Sequence, residues 1–153
     1  MKKIHIILAL TAIALLFACN EPEPKSATTA APETTTKRTV SKPTLLGPQD
    51  FYAKLGATED AQLLDVRTAG EVALGMIPEC TNMDFNDPKF KNMIASLDKS
   101  KPVFIYCASG GRSGRASTLM TSLGFNEVYD LQGGFTSWSA EGMEQAKPMN
   151  SAP

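Results

Sequence analysis

Residues 104–115 read Phe-Ile-Tyr-Cys-Ala-Ser-Gly-Gly-Arg-Ser-Gly-Arg. The apolar run that ends at Tyr106 predicts a buried strand over residues 103–106, and the small residues after it predict a tight loop. The pattern over residues 113–123 predicts a helix that Gly124 ends. A strand, a short loop and a helix in this order are typical of α/β proteins, in which ligands bind at the carboxyl ends of the strands.

Residues 44–143 show the same alternation of short apolar runs and helical patterns. Further strands are predicted over residues 62–66 and 127–131, and further helices over residues 48–55, 69–74, 88–97 and 135–140. Thr68, followed three residues later by Glu71, matches the capping-box pattern and places a helix start there. The predicted fold class is therefore α/β.

The chain has the composition of one globular domain. Of its 153 residues, 42% are hydrophobic and 20% are charged. A net charge of -1 and a pI near 5.8 provide no basic surface for a phosphate backbone, so nucleic acid is not expected as a partner. A single histidine argues against a Cys/His metal site, and the sequence indicates no metal ion and no cofactor.

The first nineteen residues resemble the signal of an exported lipoprotein. Lys2 and Lys3 precede an apolar run over residues 4–17, which is shorter than the about 20 residues that span a bilayer. The run ends beside Cys19, as in the lipobox of bacterial lipoproteins, where the cysteine is acylated. We expect removal of residues 1–18, lipidation of Cys19 and anchoring to a bacterial cell membrane, facing the periplasm or the exterior. A plain secretory signal and an uncleaved anchor are the alternatives.

Two polar segments flank the expected domain. Residues 19–43 are rich in Pro, Thr, Ala, Glu and Lys and hold almost no large apolar side chain, so we expect a flexible tether after the lipidated cysteine. The folded domain is expected over residues 44–143. Residues 144–153 are expected to form a disordered tail.

Cys107, at the base of the loop, has the surroundings of a reactive thiol. Gly110 and Gly111 permit a backbone in which successive N–H groups point inwards, and the following helix adds its positive end. Both features stabilise an anion, so the Cys107 thiol should have a lowered pKa. The only histidine, His5, falls in the predicted signal. Cys107 is therefore expected to be a nucleophile that its surroundings activate, without a histidine base.

Several blocks of sequence, in the same order, resemble the rhodanese homology domain. They are Leu64-Asp65-Val66-Arg67-Thr68, Glu71, Gly75, Ile77-Pro78 and Asn82; Tyr106-Cys107 with Gly110, Arg112 and Ser113; and Leu123-Gly124-Phe125, Val128, Leu131, Gly133-Gly134 and Trp138. The resemblance implies a three-layer fold with a central parallel sheet and helices on both faces. It also implies a sulfurtransferase, in which Cys107 carries sulfur as a persulfide from a donor such as thiosulfate to a thiol or cyanide acceptor.

The resemblance assigns roles to the residues around Cys107 as well. The substrate-binding loop would be Ala108, Ser109, Gly110, Gly111, Arg112 and Ser113. Its amides cradle the sulfur, and Arg112 closes the loop on an anionic substrate. Asp65, Arg67 and Glu71 are expected to be structural, with Arg67 reaching Glu71 four residues further along the chain.

Loop length separates two activities that are built on this fold. Related phosphatases place five residues between the cysteine and the arginine, which fits a tetrahedral phosphate, whereas four residues separate Cys107 from Arg112 here. The shorter loop suits a sulfane sulfur. The sequence also offers no convincing general-acid carboxylate near the loop, which weakens the phosphatase interpretation further.

Cys80 departs from the family, whose members commonly have Gly-Ala where this chain has Glu79-Cys80. Either Cys80 is a small buried residue, or it resolves the Cys107 persulfide or protects Cys107 as a reversible disulfide. Two alternatives to a sulfurtransferase also remain: a rhodanese-like binding or sensing module without turnover, and a thiol-redox partner that uses Cys80 and Cys107. The intact Cys107, the loop glycines and Arg112 favour the enzyme.

Overall fold

The computed structural model describes residues 42–148. The predicted signal, Cys19 and nearly all of the predicted tether lie outside these residues, as do residues 149–153. The described part contains β1 Thr44–Leu46, α1 Pro48–Gly56, β2 Gln62–Asp65, α2 Ala69–Val72, β3 Thr81–Asn82, α3 Phe90–Ala95, β4 Val103–Tyr106, α4 Gly111–Ser122, β5 Val128–Leu131 and α5 Gly134–Ala140. Within residues 42–148, no helix has the length and apolar character needed to cross a bilayer.

The strands form one parallel sheet with β4 at its centre. Their order is β1-β5-β4-β2-β3. All of β4 is buried, and its side chains alternate between the two faces: Val103 and Ile105 join one apolar cluster, and Phe104 and Tyr106 join the other. Since β4 is central, the loop that follows it opens in the middle of the carboxyl edge of the sheet, where α/β proteins bind their ligands.

Helices cover both faces of the sheet and give the fold three layers. α3 and α4 pack on one face, through Phe90, Ile94 and Met120 among others. α1 and α5 pack on the other face through Phe51 and Trp138, whose rings meet edge to face with their centroids 6.3 Å apart. The expectation of a three-layer α/β fold around a parallel sheet is confirmed.

Some elements differ from the expectations drawn from the sequence. β1 and β3 were not predicted, because strands of three and two residues are too short to show an alternating pattern. α2 and α3 are shorter than predicted. α2 gives way to a turn before Gly75, and residues before Phe90 form a turn in which the Phe90 amide donates to the Asp87 carbonyl over 2.9 Å.

The ordered chain continues beyond residue 143, where the sequence places the end of the domain. Ala146 and Met76 exchange two backbone hydrogen bonds of 2.8 Å. The Trp138 indole donates to the Glu144 carbonyl over 2.7 Å. Glu144 and Ala146, which lie beyond the predicted end of the domain, are therefore held against it. Backbone contacts hold this segment, and such contacts leave no apolar pattern in a sequence.

Candidate active site

The loop after β4 folds its backbone around the sulfur of Cys107. The Gly110 amide donates to Cys107 Sγ over 3.1 Å. Gly110 has a φ of 95°, a left-handed conformation that glycine adopts without strain, and it directly precedes α4. The backbone amides of Ser109 and Ser113 also stabilise the thiolate form of this sulfur. The loop therefore presents several N–H donors to one atom.

The start of α5 holds the outer side of this loop. The Phe135 amide donates to the Cys107 carbonyl over 2.8 Å, and the Thr136 amide donates to the Ala108 carbonyl over 3.0 Å. These two carbonyls are thereby turned towards α5, and the amide that follows the second of them, that of Ser109, is one of those that stabilise the sulfur. Gly134 has a φ of 59°, and a Cβ at this position would overlap the carbonyl oxygen of Cys107. Only glycine permits so close an approach.

Two opposing effects act on the thiol of Cys107, which is buried. Burial raises its pKa, since it disfavours the charged form. The Ser113 amide and hydroxyl, together with the amides of Ser109 and Gly110, stabilise the thiolate and lower the pKa below that of an ordinary cysteine. The hydrogen bonds outweigh burial, so the Cys107 thiol is more acidic than an ordinary cysteine without any help from a neighbouring base.

Arg112 closes the loop and pairs with Glu71 of α2. Its Nη1 and Nη2 donate to the two carboxylate oxygens of Glu71 over 2.8 and 2.5 Å, a bidentate arrangement. Hydrogen bonds from Arg112 lower the pKa of Glu71 to about 2. The pKa of Arg112 is raised, first by its hydrogen bonds to Glu71 and further by the negative charge on Cys107. The Glu71 carboxylate thus fixes the Arg112 guanidinium, which also interacts with the charge of the Cys107 thiolate.

Arg67 does not reach Glu71, which corrects the contact predicted from their spacing. Instead its Nε and Nη2 donate to the Asp65 carboxylate over 3.0 and 2.6 Å, and both residues are buried. The guanidinium lies 4.0 Å from the centroid of the Phe135 ring. A contact at four residues' spacing requires both residues on one helix, but Thr68 is the N-cap of α2 and has an extended backbone, so Arg67 lies outside that helix.

The residues that form this site all lie within a segment that matches a known protein family. The family model of the rhodanese-like domain matches residues 47–141, which are more than half of the chain. The chain belongs to the rhodanese-like domain family. The match includes β4, the complete loop from Cys107 to Ser113, and Gly134 at the start of α5.

Relatives of the rhodanese-like domain include proteins with sulfurtransferase names. A sulfurtransferase of Allochromatium vinosum is 34% identical over 100 residues, which are 65% of this chain and 92% of that protein. The thiosulfate sulfurtransferase GlpE of Pseudomonas savastanoi pv. phaseolicola is 33% identical over 82 residues, which are 54% of this chain and 76% of that protein. Among solved structures, a rhodanese-related protein from Thermoplasma volcanium gives a TM-score of 0.59 at 30% identity and covers 69% of this chain and 99% of its own.

Two acidic residues of the rhodanese-like domain make contacts that the sequence did not reveal. Glu71, expected to be structural, also holds Arg112 at the loop. Asp130 on β5 is buried, and burial raises its pKa to about 6 although Ser113 and the Leu131 backbone favour its charged form. The sequence offered no convincing general-acid carboxylate near the loop, but a charged residue within the apolar strand Val-Tyr-Asp-Leu was an available signal of a buried carboxyl.

Cys80 and Cys107 lie on opposite faces of the sheet. Cys80 packs against the cluster of Phe51 and Trp138, whereas Cys107 belongs to the other cluster. The Tyr106 hydroxyl donates to Cys80 Sγ over 3.2 Å, and burial raises the pKa of the Cys80 thiol. Both cysteines are free thiols. These surroundings favour Cys80 as a small buried residue, and a resolving role for it stays a prediction.

Alkylation rates should separate the two thiols. We expect Cys107 to react with iodoacetamide at least about tenfold faster than Cys80 near neutral pH, because the thiolate is the reactive form and each pKa unit changes its population about tenfold. Timed alkylation of the full-length chain, followed by peptide mapping, measures both rates. Faster labelling of Cys80, or a disulfide between the two residues under oxidising conditions, would contradict this expectation and favour the resolving role.

Proposed function

We propose that the protein is a sulfurtransferase in which Cys107 carries a sulfane sulfur from a donor to an acceptor. The observation that carries the proposal is the hydrogen bond from the Gly110 amide to Cys107 Sγ at the end of the central strand, where the amides of Ser109 and Ser113 also stabilise the thiolate. Such a cradle of backbone donors stabilises a negative sulfur in the thiolate as well as in the persulfide. The sulfurtransferase names of two relatives support the same function.

Sulfur would move in two displacements. The Cys107 thiolate attacks the outer sulfur of thiosulfate, a Cys107–sulfur bond forms, the S–S bond of thiosulfate breaks, and sulfite leaves with the electron pair. An acceptor thiolate then attacks the outer sulfur of the persulfide, and Cys107 leaves again as a thiolate. Cys107 neither gains nor loses a proton in either step, so no general acid or base is needed at the sulfur.

Arg112 would supply positive charge for the anionic donor. A guanidinium has five N–H donors, and the ion pair with Glu71 uses two of them. The remaining donors are available to a sulfonate-like oxygen without breaking that pair. Four residues between Cys107 and Arg112 make a loop shorter than the phosphatase loop, which supports a single sulfur atom over a tetrahedral phosphate at this place.

The mass of the intact chain before and after exposure to thiosulfate tests the proposal. We expect a gain of one sulfur atom together with the release of sulfite, and loss of that sulfur when cyanide or a thiol is added. If neither thiosulfate, polysulfide nor a small persulfide adds sulfur to the chain, a binding or sensing module without turnover becomes the better interpretation.

Arg112→Ala should raise the KM for thiosulfate by about tenfold or more, with a smaller effect on kcat. One charge-assisted hydrogen bond contributes about 1.5–3 kcal/mol, and the anionic donor would lose it. Steady-state sulfite release measures both constants. Arg115→Ala is the matched control, because Arg115 carries the same charge on the same helix but its Nε donates to the Gly111 carbonyl. An unchanged KM in Arg112→Ala would show that Arg112 only supports the loop.

A further inference from the structure

Asp130 is a buried carboxyl directly behind the loop. Its Oδ2 lies close to the backbone of α4, so that a Cβ on Gly114 would be 3.6 Å away. Oδ1 is buried without a hydrogen-bond partner, and Ser113 stabilises the charged form of the carboxyl. A buried carboxyl that is only partly hydrogen-bonded is unfavourable for folding. The transfer mechanism proposed above makes no use of it.

Ser113 connects Asp130 to the reacting sulfur. Its hydroxyl donates to the Gly110 carbonyl over 3.2 Å. Ser113 also stabilises the charged forms of Cys107 and of Asp130, so these two groups compete with that carbonyl as acceptors. A hydroxyl has one proton to donate, so it can serve only one of these acceptors fully at a time. An ionised carboxylate is the strongest acceptor of the three. A protonated Asp130 donates to Ser113 Oγ instead and leaves the Ser113 proton for the sulfur.

A cavity of about 490 Å³ gives Asp130 a route to the protons of the solvent. α4 contributes Ser117 and Thr121 to its lining, and the chain at β1 contributes Lys42 and Leu45. Among the described residues that line the cavity, Lys42 and Asp130 are the charged ones. The direct neighbours of Asp130 in the sheet are apolar, Leu45 on β1 and Ile105 on β4. From α4 it faces Ser113 and Gly114, which are neutral.

We propose that Asp130 is a positioning residue, whose charge decides whether the Ser113 proton points to Cys107 and therefore how firmly the thiolate is held. The inference rests on the proposed function only in taking Cys107 as the reacting thiol. An ionised Asp130 draws the Ser113 proton away, and the sulfur keeps its amide contacts alone. A protonated Asp130 returns the hydroxyl to the sulfur.

The switch of the Ser113 hydroxyl between Cys107 and Asp130 should occur at mildly acidic pH. Burial raises the pKa of Asp130 to about 6, so the carboxyl becomes ionised as the pH rises through that value. Above it, the thiolate of Cys107 loses one hydrogen bond, and its pKa should be higher than it would be with a neutral residue at position 130. The titration of Cys107 is thereby coupled to that of Asp130.

The rate of Cys107 alkylation by iodoacetamide, measured against pH in the full-length chain, tests this coupling. In Asp130→Leu, which removes both the charge and the acceptor, we expect a lower apparent pKa of Cys107. Alkylation below that pKa should be about threefold faster or more, the factor that one hydrogen bond contributes to an equilibrium. Ser113→Ala should raise the apparent pKa. In the Ser113→Ala background, Asp130→Leu should then change little, because the link between the two groups is gone.

An unchanged alkylation profile in folded Asp130→Leu would overturn the inference, and so would an equal shift in the Ser113→Ala background. Asp130→Asn preserves the shape of the side chain without its charge and serves if the leucine variant does not fold. In the unmodified protein we expect an inflection of the alkylation profile near pH 6. This inflection should be absent from the profile of Asp130→Asn. Iodoacetamide requires no sulfur donor. A chain that shows the expected alkylation but accepts no sulfur would therefore contradict the sulfurtransferase function alone.

Discussion

Cys107→Ser is expected to abolish sulfur transfer, lowering kcat/KM for thiosulfate on the order of 10⁴-fold or more. The cradle lowers the pKa of a thiol, which is already a weak acid, but a serine hydroxyl is far less acidic and would need a base. The only histidine of the sequence is His5, outside the domain. Sulfite release and the mass of the intact chain should both show no transfer in the variant.

The matched control for this variant is Cys80→Ser, which removes the other thiol of the domain by the same substitution. Because Cys80 lies on the opposite face of the sheet, Cys80→Ser should still take up one sulfur from thiosulfate. Circular dichroism of both variants would establish that they fold. Turnover that persists in Cys107→Ser would contradict the persulfide mechanism, and turnover lost in Cys80→Ser would assign a chemical role to Cys80.

Asp65→Asn is expected to reduce the free energy of unfolding by about 3–5 kcal/mol, because it leaves the charge of Arg67 buried without its partner. The side chains of Asp65 and Arg67 are 0% and 4% exposed, so water cannot replace the lost carboxylate. The Asn side chain retains the shape and can still accept from the Arg67 amide, now 2.9 Å from Asp65 Oδ1. The loss is therefore electrostatic. Urea denaturation followed by circular dichroism measures it.

An exposed ion pair of the same domain provides the control. Lys101 and Asp60 are 41% and 77% exposed, and their N–O distance is 3.7 Å. Solvent screens such a pair, so Asp60→Asn should leave the urea midpoint unchanged. Replacement of both Asp65 and Arg67 by apolar residues should destabilise the domain less than Asp65→Asn does, because no buried charge is then left unpaired. Equal urea midpoints for Asp65→Asn and the unmodified protein would contradict the argument.

The local features of the fold could be predicted from the sequence. The strand over residues 103–106 has four apolar side chains in a row and is fully buried in the structure. Thr68 and Glu71 form the predicted capping box at the start of α2. Gly124 has a φ of 91° just after α4, at the place where a helix-ending glycine was expected. Each of these features depends on residues within a few positions of one another, and short-range patterns express them.

Contacts between distant segments could not be predicted in this way. Arg112 meets Glu71 across 41 positions of the chain, so spacing along a single helix suggested Arg67 as the partner of Glu71 instead. The contact between Asp130 and Ser113 likewise joins β5 to α4 and depends on how the helix packs on the sheet. β3 has two residues and pairs with β2 only because the fold brings them together.

The hydrogen bonds from α5 to the loop also bear on when Cys107 acquires its complete surroundings during synthesis of the chain. Cys107 leaves the ribosome well before Phe135 and Thr136, whose amides turn the carbonyls of the loop outwards. Until those residues have been synthesised, we expect the pKa of Cys107 to be closer to that of an ordinary cysteine, because the loop lacks the two hydrogen bonds that hold its carbonyls outwards. The complete cradle therefore forms only after the segment that contains α5 has been synthesised.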